Sequence, residues 1–124
     1  MSELRANTIS AANGTGPVTL TKQSAAKAWV NFNGTGTAAI RDSFNHSSLT
    51  DHGTGNYSNT VSSAFDNANY VVTAMSQDTS VGDVISFDNG TAPTATAVKI
   101  YNFTTGSSVA DCARICLSYQ GDLA

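Results

Sequence analysis

The chain has 124 residues, a length typical of one domain, and carries a net charge of −3 with only 12% charged residues. Its six lysines and arginines are scattered along the sequence, so no basic patch predicts binding to nucleic acid. No apolar run is long enough to cross a membrane and no secretion signal is visible, so we expect a soluble protein made in a cytoplasm.

Residues 1–22 are predicted to form an N-terminal arm, followed by a body at 23–124. The arm carries an Asn-Gly-Thr-Gly turn at 13–16, since glycine and asparagine accept the backbone angles of tight turns. It has too few apolar residues for a core of its own, so we expect it to contact the body or another chain. The candidate contact residues of the arm are Leu4, Ile9, Val18 and Leu20.

The body begins with two segments whose side chains alternate between two faces, as in a β-strand. In 27–32 the apolar face consists of Ala28, Val30 and Phe32. A second Asn-Gly-Thr-Gly turn follows at 33–36, and in 37–45 one face consists of Ala38, Ile40, Asp42 and Phe44. An aspartate among apolar neighbours predicts either a β-bulge or a buried, hydrogen-bonded carboxylate.

Further strands are predicted along the rest of the body, and no segment has a helical period. Residues 47–50 continue the second strand or begin the next one. The later strands are predicted at 57–65, 69–75, 84–87, 98–103 and 113–119. We expect 69–75 to be a central strand. Six or seven short strands predict an all-β fold, an antiparallel β-sandwich of jelly-roll-like form.

The two cysteines, Cys112 and Cys116, lie in a segment that alternates like a strand. Four positions along a strand span about 13 Å, whereas the Cα atoms of a disulfide lie within about 7 Å of each other. We therefore expect two free thiols on the same side as Arg114. A zinc site is not expected, because no second cysteine or histidine pair stands at ligand spacing.

The longest informative string is Lys-Ala-Trp-Val-Asn-Phe-Asn-Gly-Thr-Gly-Thr-Ala-Ala-Ile-Arg-Asp-Ser-Phe-Asn at 27–45. It is followed by Ser-Ser-Leu-Thr-Asp at 47–51 and by Gly-Thr-Gly-Asn-Tyr at 53–57. These strings resemble a module of bacteriophage tail-fibre and related virion proteins, including those of cyanophages, and the resemblance covers most of the chain. The chain departs from the module at His46 and His52. The resemblance implies a structural virion protein, commonly trimeric, in a fibre or surface appendage.

Two residues of the body are candidate interface residues together with the arm. Trp29 lies on the second face of its strand, where it either packs within the body, contacts another subunit or offers a platform to a sugar. Arg41 and Asp42 are neighbours and point to opposite faces, so each is expected to find a partner on another strand or subunit. A catalytic role for Asp42 is not favoured.

His46, Asp51 and His52 lie close together in a loop-rich stretch. Histidine and carboxylate are metal-ligand types, and histidine also titrates near neutral pH, so a pH-sensitive contact is an alternative, but we favour the interpretation as ordinary exposed loop residues. Together with Tyr57, the two histidines are candidate receptor contacts in loops. No nucleophile and base stand in a motif context, so we expect neither an enzyme nor a cofactor.

We expect a homotrimer, because neighbouring subunits can cover apolar residues of the arm that one chain leaves exposed. Three roles on the virion follow, each with the protein made in the host cytoplasm. The first is a fibre or appendage component whose arm docks on other virion proteins. The second is a tip that contacts a host glycan or receptor. The third is a capsid decoration (cement) protein that stabilises the shell.

Overall fold

The computed structural model describes residues 25–78 and 83–124. These residues form two four-stranded antiparallel sheets packed as a sandwich, so the predicted all-β antiparallel sandwich is confirmed. The strands are β1 (Ala28–Asn33), β2 (Ala39–Phe44), β3 (His46–Asp51), β4 (Asn56–Val61), β5 (Val71–Gln77), β6 (Val84–Phe87), β7 (Ala97–Phe103) and β8 (Arg114–Gln120). The first sheet has the order β2-β1-β8-β5 and the second the order β3-β4-β7-β6. No helix in the described part of the chain could span a membrane.

The core lies between the two sheets and is built by the central strands β1, β8, β4 and β7. Every second residue of these strands is buried, because side chains alternate between the faces of a strand. The predicted apolar face of β1 is confirmed at Ala28, Val30 and Phe32, and β8 buries Ile115, Leu117 and Tyr119. The aromatic rings of Phe32 and Tyr57 meet edge to face, with their centroids 5.2 Å apart.

Strand β2 does not have the single apolar face that its sequence predicts. Its pairing with β1 shifts between Asn31 and Phe32, so Arg41 is an extra, bulged residue. As a result Ile40 lies opposite the buried Phe32, whereas Phe44 lies opposite Trp29 on the other side of the sheet. The expected bulge is therefore present. The alternative of a buried carboxylate is wrong, because Asp42 is exposed.

Strand β5 is an edge strand, so its prediction as a central strand is wrong. It pairs on one side with β8 along its whole length, from Val71 opposite Gln120 to Gln77 opposite Arg114. The run of β-branched residues that suggested a central position packs only one of its faces against the core. The number of strands among the described residues is eight, one more than the six or seven expected.

Both glycine turns of the body join neighbouring antiparallel strands, β1 to β2 and β3 to β4. Gly36, Gly53 and Gly55 have positive φ angles of 64°, 117° and 65°, which glycine adopts without steric cost. The turn at 13–16 and the arm residues Leu4, Ile9, Val18 and Leu20 lie outside the described residues.

Candidate subunit interface

The first sheet presents one face to the core and the opposite face outward. Across this outward face, Trp29 is paired with Phe44 and Ser118, and Asn31 with Asp42 and Cys116. Strand β5 continues the two rows with Thr73 and Met75. We call this surface the outer face, and it consists of Trp29, Asn31, Asp42, Phe44, Val71, Thr73, Met75, Cys116 and Ser118.

The outer face exposes more apolar surface than a solvent-facing sheet normally does. The exposed fraction is 74% for Met75, 60% for Val71, 55% for Phe44 and 36% for Trp29. These four side chains account for half of the large apolar residues that the described part of the chain exposes. Several large apolar side chains exposed on one face mark an interaction surface more often than single scattered ones do.

A groove of about 450 Å³ runs along the outer face. Trp29 of β1 and Met75 of β5 line its two sides, and the shorter Cys116 and Ser118 of β8 lie between them. The groove exists because β8 carries short side chains between two strands with long ones. Phe44 stands beyond this groove, on the edge strand β2. The outer face therefore has a concave part and a projecting aromatic side chain at different places.

Charge is sparse on this surface. Among its members only Asp42 is charged, and one of its carboxylate oxygens accepts the backbone N–H of Ser43 at 2.8 Å. Arg41 and Arg114 lie at one end of the same sheet, where they line a cleft together with Gln77 and Asp78. The Nη1 of Arg41 lies 3.4 Å from the carbonyl oxygen of Phe32. A surface depleted of charge at its centre has the composition of an interface core.

The two cysteines are free, as the sequence predicts, but they differ in environment. Cys116 is half-buried on the outer face. Cys112 precedes β8 and is fully buried, so its expected place beside Cys116 and Arg114 is wrong. Its thiol donates to Asp83, and the amide of Asn102 lies 3.1 Å from the sulfur. Burial, reinforced by Asp83, raises the pKa of Cys112 to about 12, which keeps this thiol unreactive at neutral pH.

Trp29 lies on the outer face. The interpretation that it packs within the body is therefore wrong. The roles that remain for it are a subunit contact and a sugar platform. Arg41 is also at the surface of this sheet, in the bulge of β2. Phe44, Val71 and Met75 are outer-face residues that the sequence did not identify. Periodicity places a residue on one side of a strand, and it cannot tell which side a partner strand or sheet covers.

Tyr57 does not lie in an exposed loop. It is the second residue of β4 and fully buried, so its prediction as a loop residue available to a receptor is wrong. The Tyr57 hydroxyl donates to Asp111 Oδ1 at 2.8 Å and lies 2.9 Å from the carbonyl oxygen of Gly34. Burial, with Asp111 as the second cause, raises the pKa of the Tyr57 phenol far above its usual range. Tyr57 thus belongs to the core.

The two histidines have different environments although they are close in sequence. His46 is the first residue of β3, half-buried, with Nε2 3.1 Å from Asn59 Oδ1, so its prediction as a loop residue is wrong. His52 is exposed in the β3–β4 turn, with Nε2 2.8 Å from Ser58 Oγ. No group of three potential metal ligands occurs within 25–78 and 83–124. The contact of His46 or His52 with a receptor stays a prediction.

Comparisons with known proteins were made at three levels. No protein-family model matches the chain, no curated protein matches it, and no solved structure matches it.

Proposed function

We propose that this chain is a non-enzymatic structural protein of a bacteriophage virion, assembled as a homotrimer in a fibre or surface appendage. The observation that carries the proposal is the outer face of the first sheet, a charge-poor apolar surface with a groove and a projecting phenylalanine. The module resemblance at 27–57 provides the virion context, and its string covers β1, β2 and both aromatic residues of the outer face, Trp29 and Phe44.

The separation of groove and projection favours a ring over a two-fold dimer. In our proposal Phe44 of one subunit inserts between Trp29 and Met75 of the next. A contact between two different patches is heterologous, and it forms a closed ring when the rotation between subunits closes. Three subunits complete the ring. The groove of each subunit is then filled by Phe44 of one neighbour, and its own Phe44 is buried in the groove of the other neighbour.

The pairing of the first described strand with the last, β1 with β8, supports the jelly-roll-like wrapping that we propose as the finer form of the fold. The chain crosses between the sheets after β2, β4, β5 and β7, and β1 and β8 pair in the middle of one sheet. No described strand packs on the outer face of the first sheet. The second sheet then faces away from the ring, where a host glycan or receptor would contact it.

Light scattering after size exclusion tests the assembly. We expect a mass of about three times the 12.8 kDa of one chain. Cys116 provides a second readout, because its thiol should react with a maleimide reagent in dilute protein and become protected on assembly. Cys112 should stay unreactive throughout, as a check of folding. A monomer at micromolar concentration with a freely reactive Cys116 excludes the proposed trimer.

The position of the protein on the particle tests the virion role. A cryo-EM map of the whole virus should show the sandwich density in a fibre or tail appendage. Density across capsomer junctions instead would assign the chain to capsid decoration. Absence of the protein from purified particles would refute the virion role while leaving the trimer itself intact.

A further inference from the structure

The four edge strands of the sandwich differ in how they are protected against pairing with another chain. Exposed edges are normally blocked by charges, bulges or short length. Strand β2 has a bulge at Arg41 and the charge of Asp42, β3 has an extra residue at Ser47 and ends at Asp51, and β6 has four residues. Strand β5 has seven residues, Val-Val-Thr-Ala-Met-Ser-Gln, with no charge, no proline and an unbroken register against β8.

The side of the sandwich that carries β5 is also incompletely closed. A cavity of about 130 Å³ lies between the two sheets there, lined by Val72, Ala74, Ile85 and Phe87 among others. Phe87, which lines this cavity on the edge strand β6, is 47% exposed. Among the described residues, an unprotected edge and an open apolar seam thus lie on the same side of the sandwich.

We propose that the free edge of β5 pairs with the β5 edge of a second copy of this chain. The pairing is antiparallel and centred on Ala74, which places all seven residues of the strand in the ladder. In this register residues with odd numbers meet residues with odd numbers, so both copies keep their core-facing side chains on the same side. Thr73 then lies opposite Met75 of the second copy, and the two first sheets form one continuous sheet.

The chemistry of β5 fits a second copy of itself. No like charges meet, the small Ala74 lies on the two-fold axis, and Val71 is opposite the neutral Gln77 of the other strand. The β6 strands of the two copies lie on the same side of the joined sheet, so Phe87 beside the cavity becomes less exposed as well. Such a side contact buries roughly 500 Å² per copy, less than the ~800 Å² of a standard interface, so we expect weak association in the micromolar range.

This inference does not rest on the proposed function. The trimer uses outward side chains around the groove, whereas the β5 contact uses the backbone edge and has two-fold symmetry. The two contacts can therefore be tested separately. The Phe44→Ser variant removes the projecting side chain of the outer face and leaves the β5 backbone unchanged, so it should lose the trimer and retain the β5 pairing.

The experiment measures amide hydrogen exchange of β5 over a dilution series of the full chain, as wild type and as Phe44→Ser. We expect the β5 amides that point to the free edge, away from β8, to become protected as the concentration rises. Light scattering should give the mass of a dimer for Phe44→Ser. Rapid exchange of these amides at all concentrations overturns the proposal. Protection that is independent of concentration also overturns it, since a segment of the same chain would then occupy the edge.

A charge pair tests the register. Both double variants are made in the Phe44→Ser background, because Met75 also lines the groove of the proposed trimer. Thr73→Lys with Met75→Lys places like charges opposite each other across the two-fold axis, and Thr73→Lys with Met75→Glu places opposite charges there. Both double variants carry two charges at the same outward positions, and we expect the first to associate about tenfold more weakly than the second. Equal association of the two variants overturns the Ala74-centred register. The wild-type dilution series decides whether β5 pairs with a second copy even where a double variant does not fold.

Discussion

At the scale of single residues, Asp111 joins three separate parts of the chain. Its Oδ1 accepts the backbone N–H of Gly55 and the hydroxyl of Tyr57, both at 2.8 Å. The same hydroxyl lies beside the carbonyl oxygen of Gly34. The two glycine turns and the segment before β8 therefore meet at one buried phenol. Hydrogen bonds to a charged acceptor are stronger than those between neutral groups.

Removing the Tyr57 hydroxyl should destabilise the fold. We expect Tyr57→Phe to lower the free energy of unfolding by about 1.5–3 kcal/mol, because the part-buried carboxylate of Asp111 loses a donor. Urea denaturation provides the measurement. Tyr70→Phe is the matched control, since the Tyr70 hydroxyl donates to the neutral carbonyl oxygen of Ala97 at 3.1 Å. An equal loss in both variants would contradict the special role of Asp111.

His46 is a second residue whose environment has a measurable consequence. In the Nε2–H tautomer the ring donates to Asn59 Oδ1, and Nδ1 is buried with no partner among the described residues. Protonation would add an N–H on Nδ1 that has no acceptor there. Burial accordingly lowers the pKa of His46 below 6.5, although the hydrogen bond to Asn59 opposes this shift.

The lowered pKa predicts a loss of stability in mild acid. Below pH 6.5 the unfolded chain binds a proton at His46 that the folded chain does not, so acidification favours unfolding until the folded pKa is reached. We expect the urea midpoint of wild type to fall between pH 7.5 and pH 5, and to fall less in His46→Gln. His52→Gln, which changes the exposed histidine, should keep the wild-type dependence. If His46→Gln behaves like wild type, His46 does not control this transition.

At the scale of elements, the Asn-Gly-Thr-Gly turn between β1 and β2 uses its two glycines for different physical reasons. A Cβ on Gly34 would lie 2.5 Å from the Tyr57 hydroxyl oxygen and 2.9 Å from its ring carbon Cζ. A Cβ on Gly36 would meet no atom within 4 Å, but this residue has a φ of 64°. Gly34 is therefore required by packing and Gly36 by backbone conformation.

A double-mutant cycle separates these two reasons. Gly34→Ala should cost about 1–3 kcal/mol by overpacking, and Gly36→Ala about 1–2 kcal/mol through the left-handed backbone. In the Tyr57→Phe background the cost of Gly34→Ala should fall by about 1 kcal/mol, because residues in contact are energetically coupled. The cost of Gly36→Ala should not change. Additive costs for Gly34→Ala, measured by urea denaturation, would refute the packing explanation.

The elements also show which parts of the fold are readable from sequence. Strands β1 and β8 are readable because every second residue along each of them is apolar, from Ala28 to Phe32 and from Ile115 to Tyr119. In β2 the alternation fails at Arg41, since a bulge adds a residue that period-two counting cannot register. The edge position of β5 is not encoded locally, because strand order depends on pairing between distant segments. The outer face could not be predicted from the sequence for the same reason. Trp29 is its one member that the sequence indicated as a candidate interface residue.

At the scale of the whole molecule, the sandwich has two unequal outward surfaces. The first sheet presents Trp29, Phe44 and Met75 outward, whereas β3 and β4 of the second sheet present mainly serine, threonine and asparagine. Burying the first surface in an assembly removes apolar area from water at about 25 cal/mol per Å², and the polar β3–β4 half of the second sheet stays solvated, although its β6 strand also exposes Val84 and Phe87. The proposed ring therefore buries the surface that is costly to expose.

Trp29 is the only tryptophan in the sequence, so its fluorescence reports on the outer face without a label. It is 36% exposed in one chain, and a neighbouring Phe44 seated in the groove would exclude water from its indole ring. We therefore expect the emission of wild type to shift to shorter wavelength as the concentration rises, in step with the mass from light scattering.

Phe44→Ser should keep the long-wavelength emission and a mass below that of the trimer at concentrations where wild type is trimeric. Val109→Ser changes an exposed apolar residue outside the outer face, so it should follow wild type. A shift that persists in Phe44→Ser would mean that another surface covers Trp29, and the groove would then lose its proposed occupant.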